Sequence, residues 1–165
     1  MSYAETKVPS ILAIDASLSS TGIAITTFSK EIIILHTIKT SPELHIENRI
    51  LYVYNTLLRI IEEYNIELLL IESNYTGGSK EVNWVIGIIY LLAAETEIPI
   101  KSFPPASIKK ALTGNGRASK KEIKLAIQEI YGDLKTNEHV RDALGLVHCY
   151  FIKRIEQNSN INLKN

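Results

Sequence analysis

The chain has 165 residues, of which 45% are hydrophobic and 22% are charged, and its 18 basic residues balance its 18 acidic ones. This composition is ordinary for one globular domain, and the zero net charge excludes the strong basic excess that many duplex-binding proteins carry. The single Cys149 excludes an internal disulfide and suits a reducing compartment as a buried small side chain. The longest apolar run, residues 85–94, falls short of the ~20 residues of a membrane span. Since the N-terminus also lacks a secretion signal, we expect a cytoplasmic protein.

Apolar segments at the start of the chain predict strands. Residues 10–14, 22–27 and 31–38 are separated by short polar breaks, which favours three antiparallel strands. Ser41 before Pro42 predicts a helix start, and apolar residues at helical spacing continue that helix to Tyr64. Residues 68–71 are an unbroken apolar run, typical of a strand buried in a parallel sheet. A long apolar helix to Thr96, a strand over residues 98–103 and helices over 107–112, 119–131 and 137–157 complete the predicted elements.

This order of elements predicts an α/β fold with a mixed five-stranded sheet, three strands antiparallel and then two parallel, and helices on both faces. We expect one domain over residues 10–157, between an N-terminal extension of residues 1–9 and a polar, disordered tail of residues 158–165. If the fourth strand pairs parallel to the first, Asp15 and Glu72 lie near each other at the carboxyl ends. Ligands favour that edge of open α/β sheets.

Three acids are candidates for one site. Asp15 closes the first strand, Glu72 closes the fourth, and Asp142 lies in the last helix. Carboxylates that converge repel one another and raise each other's pKa, which a divalent cation relieves. Hard oxygen ligands fit Mg²⁺, and two such ions ~3.5–4 Å apart can hold a scissile phosphate. Taken singly, the three acids also fit a turn cap, a strand end and an exposed helical position.

Two neighbours of Asp142 extend this cluster. His139 precedes it by three residues and Glu138 by four, so both share its helix face, and either could complete the cluster. A lone histidine on a helix is nevertheless more often structural. The chain has no HExxH or CxxC metal motif, no phosphate-loop spacing and no nucleophile elbow, which argues against the corresponding enzyme classes.

Basic residues are concentrated in residues 101–124, where Glu122 is the one acid. Such a segment fits either a local phosphate-binding patch or a solvated helix face. Its seven bases are Lys101, Lys109, Lys110, Arg117, Lys120, Lys121 and Lys124.

The segments AIDASLSSTGIAI, LLLIES and HVRDALGL, in this order and spacing, resemble the RuvC family of Holliday junction resolvases in the ribonuclease H-like superfamily. That family opens with a strand reading roughly GIDPGxxxTGxxV, ends a later strand in IE, and carries an acid or histidine, two spacers and DAxA in its final helix. The resemblance spans residues 11–151. Ala16-Ser17 replaces the family's Pro-Gly, and His139 stands at the third acid position, as in some members.

The resemblance implies a metal-dependent, structure-selective endonuclease that acts as a homodimer and resolves Holliday junctions and other branched DNA by paired symmetric nicks. It implies two Mg²⁺ ions per site, and Mn²⁺ would be favoured if the His139 nitrogen is a ligand, although His139 could instead position or deprotonate the water. No small-molecule cofactor or membrane is implied. The helix over residues 82–94 is the candidate dimer face. The implied catalytic residues and metal ligands are Asp15, Glu72, His139 and Asp142. The implied DNA contacts are Tyr75, as an aromatic wedge in the junction, and Lys80, Lys109, Arg117, Lys120 and Lys121 at the backbone.

Alternatives remain open at this stage. His139 and Ala16 would also fit a branched-DNA binder that has lost catalysis. An acid before a hydroxyl- and glycine-containing turn also occurs in nucleotide-binding proteins of the actin class, although those need far more chain. A nuclease for single strands or RNA–DNA hybrids is a variant of the main hypothesis. The composition, rich in Ile, Asn and Lys, is typical of a bacteriophage of an AT-rich bacterium, which would place the protein in the host cytoplasm.

Overall fold

The computed structural model describes residues 8–73 and 78–162. Five strands form one sheet in the order β3-β2-β1-β4-β5. The first three pair antiparallel, whereas β4 pairs parallel with β1 and β5 pairs parallel with β4. This arrangement confirms the predicted mixed sheet. The strands are β1 (Ser10–Asp15), β2 (Ser20–Thr27), β3 (Ile32–Lys39), β4 (Ile66–Glu72) and β5 (Ile100–Phe103).

Helices cover both faces of this sheet, as predicted. They are α1 (Ile46–Glu63), α2 (Lys80–Thr96), α3 (Pro105–Thr113), α4 (Lys120–Tyr131) and α5 (Glu138–Asn162). Side chains of a strand alternate between faces, so Leu12 and Ile14 of β1 pack with α1 and α2, while Ile11 and Ala13 pack against α3, α4 and α5. Because β1 is buried on both faces, its sequence is apolar without interruption.

Two predicted element boundaries differ from the structure by more than two residues. The expected helix start at Ser41 is wrong, because Ser41 and Pro42 lie in a turn where the Ser41 Oγ accepts the Glu43 N–H at 3.2 Å. The helix begins instead at Ile46. At the other end of the chain, α5 continues to Asn162, since residues 158–162 contain neither glycine nor proline to end it. The helix is therefore five residues longer at this end than predicted.

The topology brings three separated segments to one edge of the sheet. In the parallel pairing of β1 with β4, Ile14 lies opposite Ile71, so the acid after each lies at the carboxyl end of its strand. Gly22 of β2 pairs with Asp15, and a Cβ at Gly22 would overlap the backbone carbonyl of His139. The first turn of α5 is thus pressed against β2, which places it beside the two strand-end acids.

Cys149 is fully buried in the core between the sheet and α5, as expected, and burial raises the pKa of its thiol to about 11. Within residues 8–73 and 78–162, none of the helices is both long and apolar enough to cross a membrane.

Candidate active site

The three predicted acids line one cavity of about 400 Å³ at the carboxyl edge of the sheet. Asp15 and Glu72 reach it from the ends of β1 and β4, and Asp142 reaches it from the second turn of α5. Glu138, one turn before Asp142, lines the same cavity. Apolar side chains of α3, α4 and α5 also line it, among them Ile108, Leu112, Ile123 and Leu146.

The acids interact electrostatically. Burial, and then the charges of Asp15, Glu138 and Glu72, raise the pKa of Asp142 to about 7. Burial and the charge of Asp15 likewise raise the pKa of Glu72, and Lys109 only partly opposes them. The pKa of Asp15 is raised by burial, although His139 acts in the opposite direction. These carboxylates therefore lie in a common field of negative charge, which a bound cation would relieve.

His139 contacts Asp15 directly. Its Nδ1 lies 2.6 Å from Asp15 Oδ2, a contact between side chains 124 residues apart in the chain. The contact leaves Asp15 Oδ1 and the His139 Nε2 for other partners. His139 is not among the residues that line the cavity, but its side chain is 38% exposed beside Asp15.

The donor set suits a hard divalent cation, because carboxylate oxygens from three elements face one cavity. Among the residues that the structure describes, however, no three His, Cys, Asp or Glu side chains are grouped closely enough to hold a metal ion as they stand. One oxygen of the first acid, Asp15 Oδ2, is engaged by His139.

Predicted basic contacts divide into two groups. Lys109 of α3 and Lys120 and Lys121 of α4 line the cavity. Lys80, the first residue of α2, and Arg117, in the loop before α4, are both exposed but lie outside its lining. Tyr75 falls outside the described residues.

The cavity has two further cations that were not among the predicted site residues, Lys124 and Arg141. Their positions could have been found in the sequence, since Lys124 follows Lys120 by one helical turn and Arg141 directly precedes Asp142. Arg141 is anchored because its Nη1 donates to the Thr136 carbonyl at 2.6 Å.

One cation at the cavity mouth is already paired. Lys120 Nζ lies 2.5 Å from Glu138 Oε1, and their side chains are 87% and 49% exposed. Lys120 lowers the pKa of Glu138, and Glu138 raises the pKa of Lys120. An ion pair this exposed contributes little to stability and can exchange for another partner.

The turn that follows Asp15, residues 16–19, is held from outside by a buried arginine. Arg49 of α1 is 9% exposed, and its Nε and Nη2 donate to Thr40 Oγ1 at 2.9 Å and Ser19 Oγ at 2.8 Å. Thr40 Oγ1 in turn donates to the Leu18 carbonyl at 2.6 Å. This network holds the turn in which Ala16-Ser17 replaces Pro-Gly. Its one signal in the sequence is a basic residue in an amphipathic helix.

The mixed sheet, with acids at the ends of the adjacent parallel strands β1 and β4 and a third acid from the last helix, has the architecture of the ribonuclease H-like fold. Residues 11–150 match the sequence family described as crossover junction endodeoxyribonuclease RuvC. The chain belongs to the RuvC family.

Individual relatives agree with this assignment. The crossover junction endodeoxyribonuclease RuvC of Treponema denticola is 32% identical over 146 residues, which cover 82% of this chain and 82% of the relative. The solved RuvC structure of Thermus thermophilus superimposes with a TM-score of 0.78 at 22% identity, covering 89% of this chain and 96% of that one. A second T. thermophilus structure, in complex with Holliday junction substrate, gives a TM-score of 0.77 at 23% identity with the same coverage. At these identities the two structures establish a shared fold.

Proposed function

We propose that this chain is a divalent-metal-dependent endonuclease that resolves four-way DNA junctions, and with them other branched DNA, by paired nicks. The observation that carries the proposal is the convergence of Asp15, Glu72 and Asp142 on one cavity that is also lined by lysines. Acids surrounded by cations suit phosphodiester hydrolysis, because the acids can bind metal ions and the cations can bind the phosphates of the DNA backbone. The family description names this activity. We place the protein in the cytoplasm, with the DNA on which it acts.

Asp15, Glu72 and Asp142 would hold Mg²⁺ or Mn²⁺, and we propose two ions per active site. When bound, such a cation polarises a water for attack on phosphorus and stabilises the charge on the leaving oxygen. The raised pKa values of all three acids support this assignment, because burial, and then the neighbouring carboxylates, disfavour the ionised forms that a bound cation would stabilise.

The chain's own side chains account for orientation and proton transfer. Lys109, Lys121 and, once released from Glu138, Lys120 would bind phosphate oxygens and orient the strand that is cut. Such contacts read backbone shape and not base identity, which supports selectivity for branched structure. His139 holds Asp15 through Nδ1, so its Nε2 is the nitrogen that could accept a proton from the attacking water.

Paired nicks need two sites, and the exposed face of α2 supports a homodimer. Trp84, Tyr90 and Leu91 are 41%, 48% and 51% exposed on this helix. Gly87 lies among them with open space at its Cβ position. Large exposed apolar side chains on one helix are typical of a surface that another subunit covers. The same helix was the predicted dimer face.

The test is a cleavage assay on a four-way junction with Mg²⁺ or Mn²⁺, run beside a fork, a flap, a single strand and an RNA–DNA hybrid. We expect symmetric paired nicks that leave 5′-phosphate and 3′-hydroxyl ends on the junction. Glu72→Gln should bind the junction without cutting it, whereas Glu67→Gln, an exposed position on the same strand, should cut normally. Binding by the wild type with no nick in either metal would instead favour the inactive DNA binder.

A further inference from the structure

A second cationic cleft lies on the same side of the sheet as α5, outside the active site. It has a volume of about 270 Å³ and lies between β5 and the C-terminal half of α5. Three of its seven lining residues are cations, and none is acidic. In a chain with 18 basic and 18 acidic residues, this is a local excess of positive charge. The cations are Lys101, Lys153 and Arg154.

The three cations differ in the partners that they already have, and therefore in how readily each can bind an anion. Lys101 Nζ lies 5.3 Å from the centre of the buried Tyr150 ring, which holds the ammonium group over the cleft. Lys153 pairs with Glu156 at 2.9 Å. Arg154 is exposed, and no ion pair within the described part of the chain involves it. The cleft therefore offers a guanidinium fork and an ammonium group, the donors that suit phosphate oxygens.

The cleft is adjacent to the active site. Phe103, at the end of β5, lines the cleft, and Pro105, two residues later, lines the catalytic cavity. Along α5, Lys153 follows Asp142 by eleven residues, which is about three helical turns and about 16 Å. Both residues therefore lie on the same side of α5.

A duplex arm that leaves the active site along α5 spans this separation. Base pairs rise 3.4 Å along the duplex axis, so about 16 Å corresponds to roughly five base pairs from the cut. We propose that this cleft is a second backbone site, which binds phosphates of the duplex arm about five base pairs from the cut. The proposal rests on the junction-cleaving function proposed above, and it adds the contact that holds the arm.

The test measures junction affinity in chelator, so that binding is separated from cutting, for Arg154→Glu and Lys101→Gln. Arg59→Glu is the matched control, because Arg59 is also an exposed helical arginine but lies on α1, across the sheet. We expect Arg154→Glu to weaken junction binding about five- to twentyfold at low salt and to reduce the salt slope by about 1 to 2, the loss expected for one or two phosphates. Arg59→Glu should do neither.

Neutral methylphosphonate linkages then locate the contact. Linkages placed about four to seven base pairs from the cut should weaken wild-type binding but leave Arg154→Glu unchanged, because both changes remove the same interaction. Equal losses in both proteins, or an Arg154→Glu affinity equal to that of Arg59→Glu, would overturn the proposal. A third outcome would also overturn it. If inorganic phosphate binds the wild type but not Arg154→Glu, while both proteins bind the junction equally well, the cleft is a site for small anions only.

The two proposals can fail separately. Wild-type protein that neither binds nor cuts junctions overturns the proposed function, and with it the arm contact. Wild-type protein that cuts junctions while Arg154→Glu binds them equally well overturns the arm contact alone.

Discussion

His139 Nδ1 lies 2.6 Å from Asp15 Oδ2, which joins the first turn of the last helix to the end of the first strand. The contact assigns the two ring nitrogens different surroundings, since Nδ1 faces the acid and Nε2 does not. A carboxylate on one imidazole nitrogen fixes the tautomer and orientation of the ring, and makes the other nitrogen the better proton acceptor. This geometry leaves Nε2 available either to accept a proton or to coordinate a metal ion, and the two roles predict different metal dependence.

Replacing His139 by alanine should lower the cleavage rate about 10²-fold or more at saturating metal, because a proton acceptor is lost while the three carboxylates remain. The metal concentration that gives half the maximal rate should change little. The measurement is the single-turnover rate against Mg²⁺ and Mn²⁺ concentration for both proteins. A variant that regains the wild-type rate at high metal, together with a wild type that prefers Mn²⁺, would make His139 a ligand instead.

Asp142 should make the metal-free protein less stable as the pH rises. Its pKa is about 7 in the folded chain and 3.8 in the reference state, so between these values the folded state holds a proton that the unfolded state has lost. The free energy of unfolding therefore falls with rising pH across this range. At ~1.4 kcal/mol per pKa unit the full shift would give about 4 kcal/mol, and partial solvent exposure reduces our expectation to ~1–2 kcal/mol.

Asp142→Asn removes that charge, so the variant should be more stable than the wild type by ~1–2 kcal/mol at pH 8 and equal to it near pH 4. Urea denaturation in chelator at both pH values measures the difference. Asp133→Asn, at an exposed aspartate, should show no comparable pH dependence. If the variant is no more stable than the wild type at pH 8, ionisation of Asp142 does not destabilise the folded state and the prediction is wrong.

The positions of Asp15 and Glu72 could be predicted from the sequence because they depend on strand pattern alone. An unbroken apolar strand ending in Asp15 and another ending in Glu72 require burial on both faces, and parallel pairing then places both acids at one edge. The spacing of HVRDAL brings Asp142 to that edge once the helix packs there. Hydrophobic pattern and sheet geometry were sufficient for the two strand-end acids, whereas the packing of the last helix at this edge was implied by the family resemblance.

The contacts among polar side chains could not be predicted, because they depend on rotamers and on packing between distant segments. The Asp15–His139 contact joins residues 124 positions apart, and Arg49 reaches Ser19 across 30 positions. The predicted start of the first helix at Ser41 was wrong for a similar reason. Ser41 and Pro42 suit a turn as well as a helix cap, and the Ser41 hydroxyl satisfies the turn.

Glu138 should compete with DNA for Lys120. The two side chains are 2.5 Å apart at the cavity mouth, so a phosphate that binds Lys120 must displace Glu138. In chelator, Glu138→Gln should therefore bind junctions about two- to fivefold more tightly, since it removes a nearby negative charge and leaves the ammonium group available. The control is Glu129→Gln on exposed α4, which should leave affinity unchanged. A gain that persists in the Lys120→Gln background would show that Glu138 acts on DNA independently of Lys120.

Leu91→Glu should convert a dimer into a monomer, because it places a charge in the exposed apolar face of α2. Light scattering reports the mass, and the ratio of paired to single nicks reports the functional consequence. Leu125→Glu is the control, since Leu125 is similarly exposed, at 54%, but lies on α4. Equal masses for the two variants would place the dimer contact elsewhere.

Gly22 should tolerate no side chain, because it is the point where β2 meets the first turn of α5. A Cβ there would overlap the His139 backbone, which cannot move without shifting the helix. Gly22→Ala should cost about 3 kcal/mol of stability. It should also reduce cleavage by the protein that remains folded, since any shift of His139 changes its contact with Asp15.

Gly145→Ala is the matched comparison, because its Cβ would meet only the side-chain ends of Ile108 and Leu112, at 3.1 and 3.2 Å. There the gain in helix propensity of ~1 kcal/mol should offset most of the crowding. Urea denaturation and single-turnover cleavage of both variants decide the matter, and equal losses of stability would show that β2 and α5 are not in the close contact described.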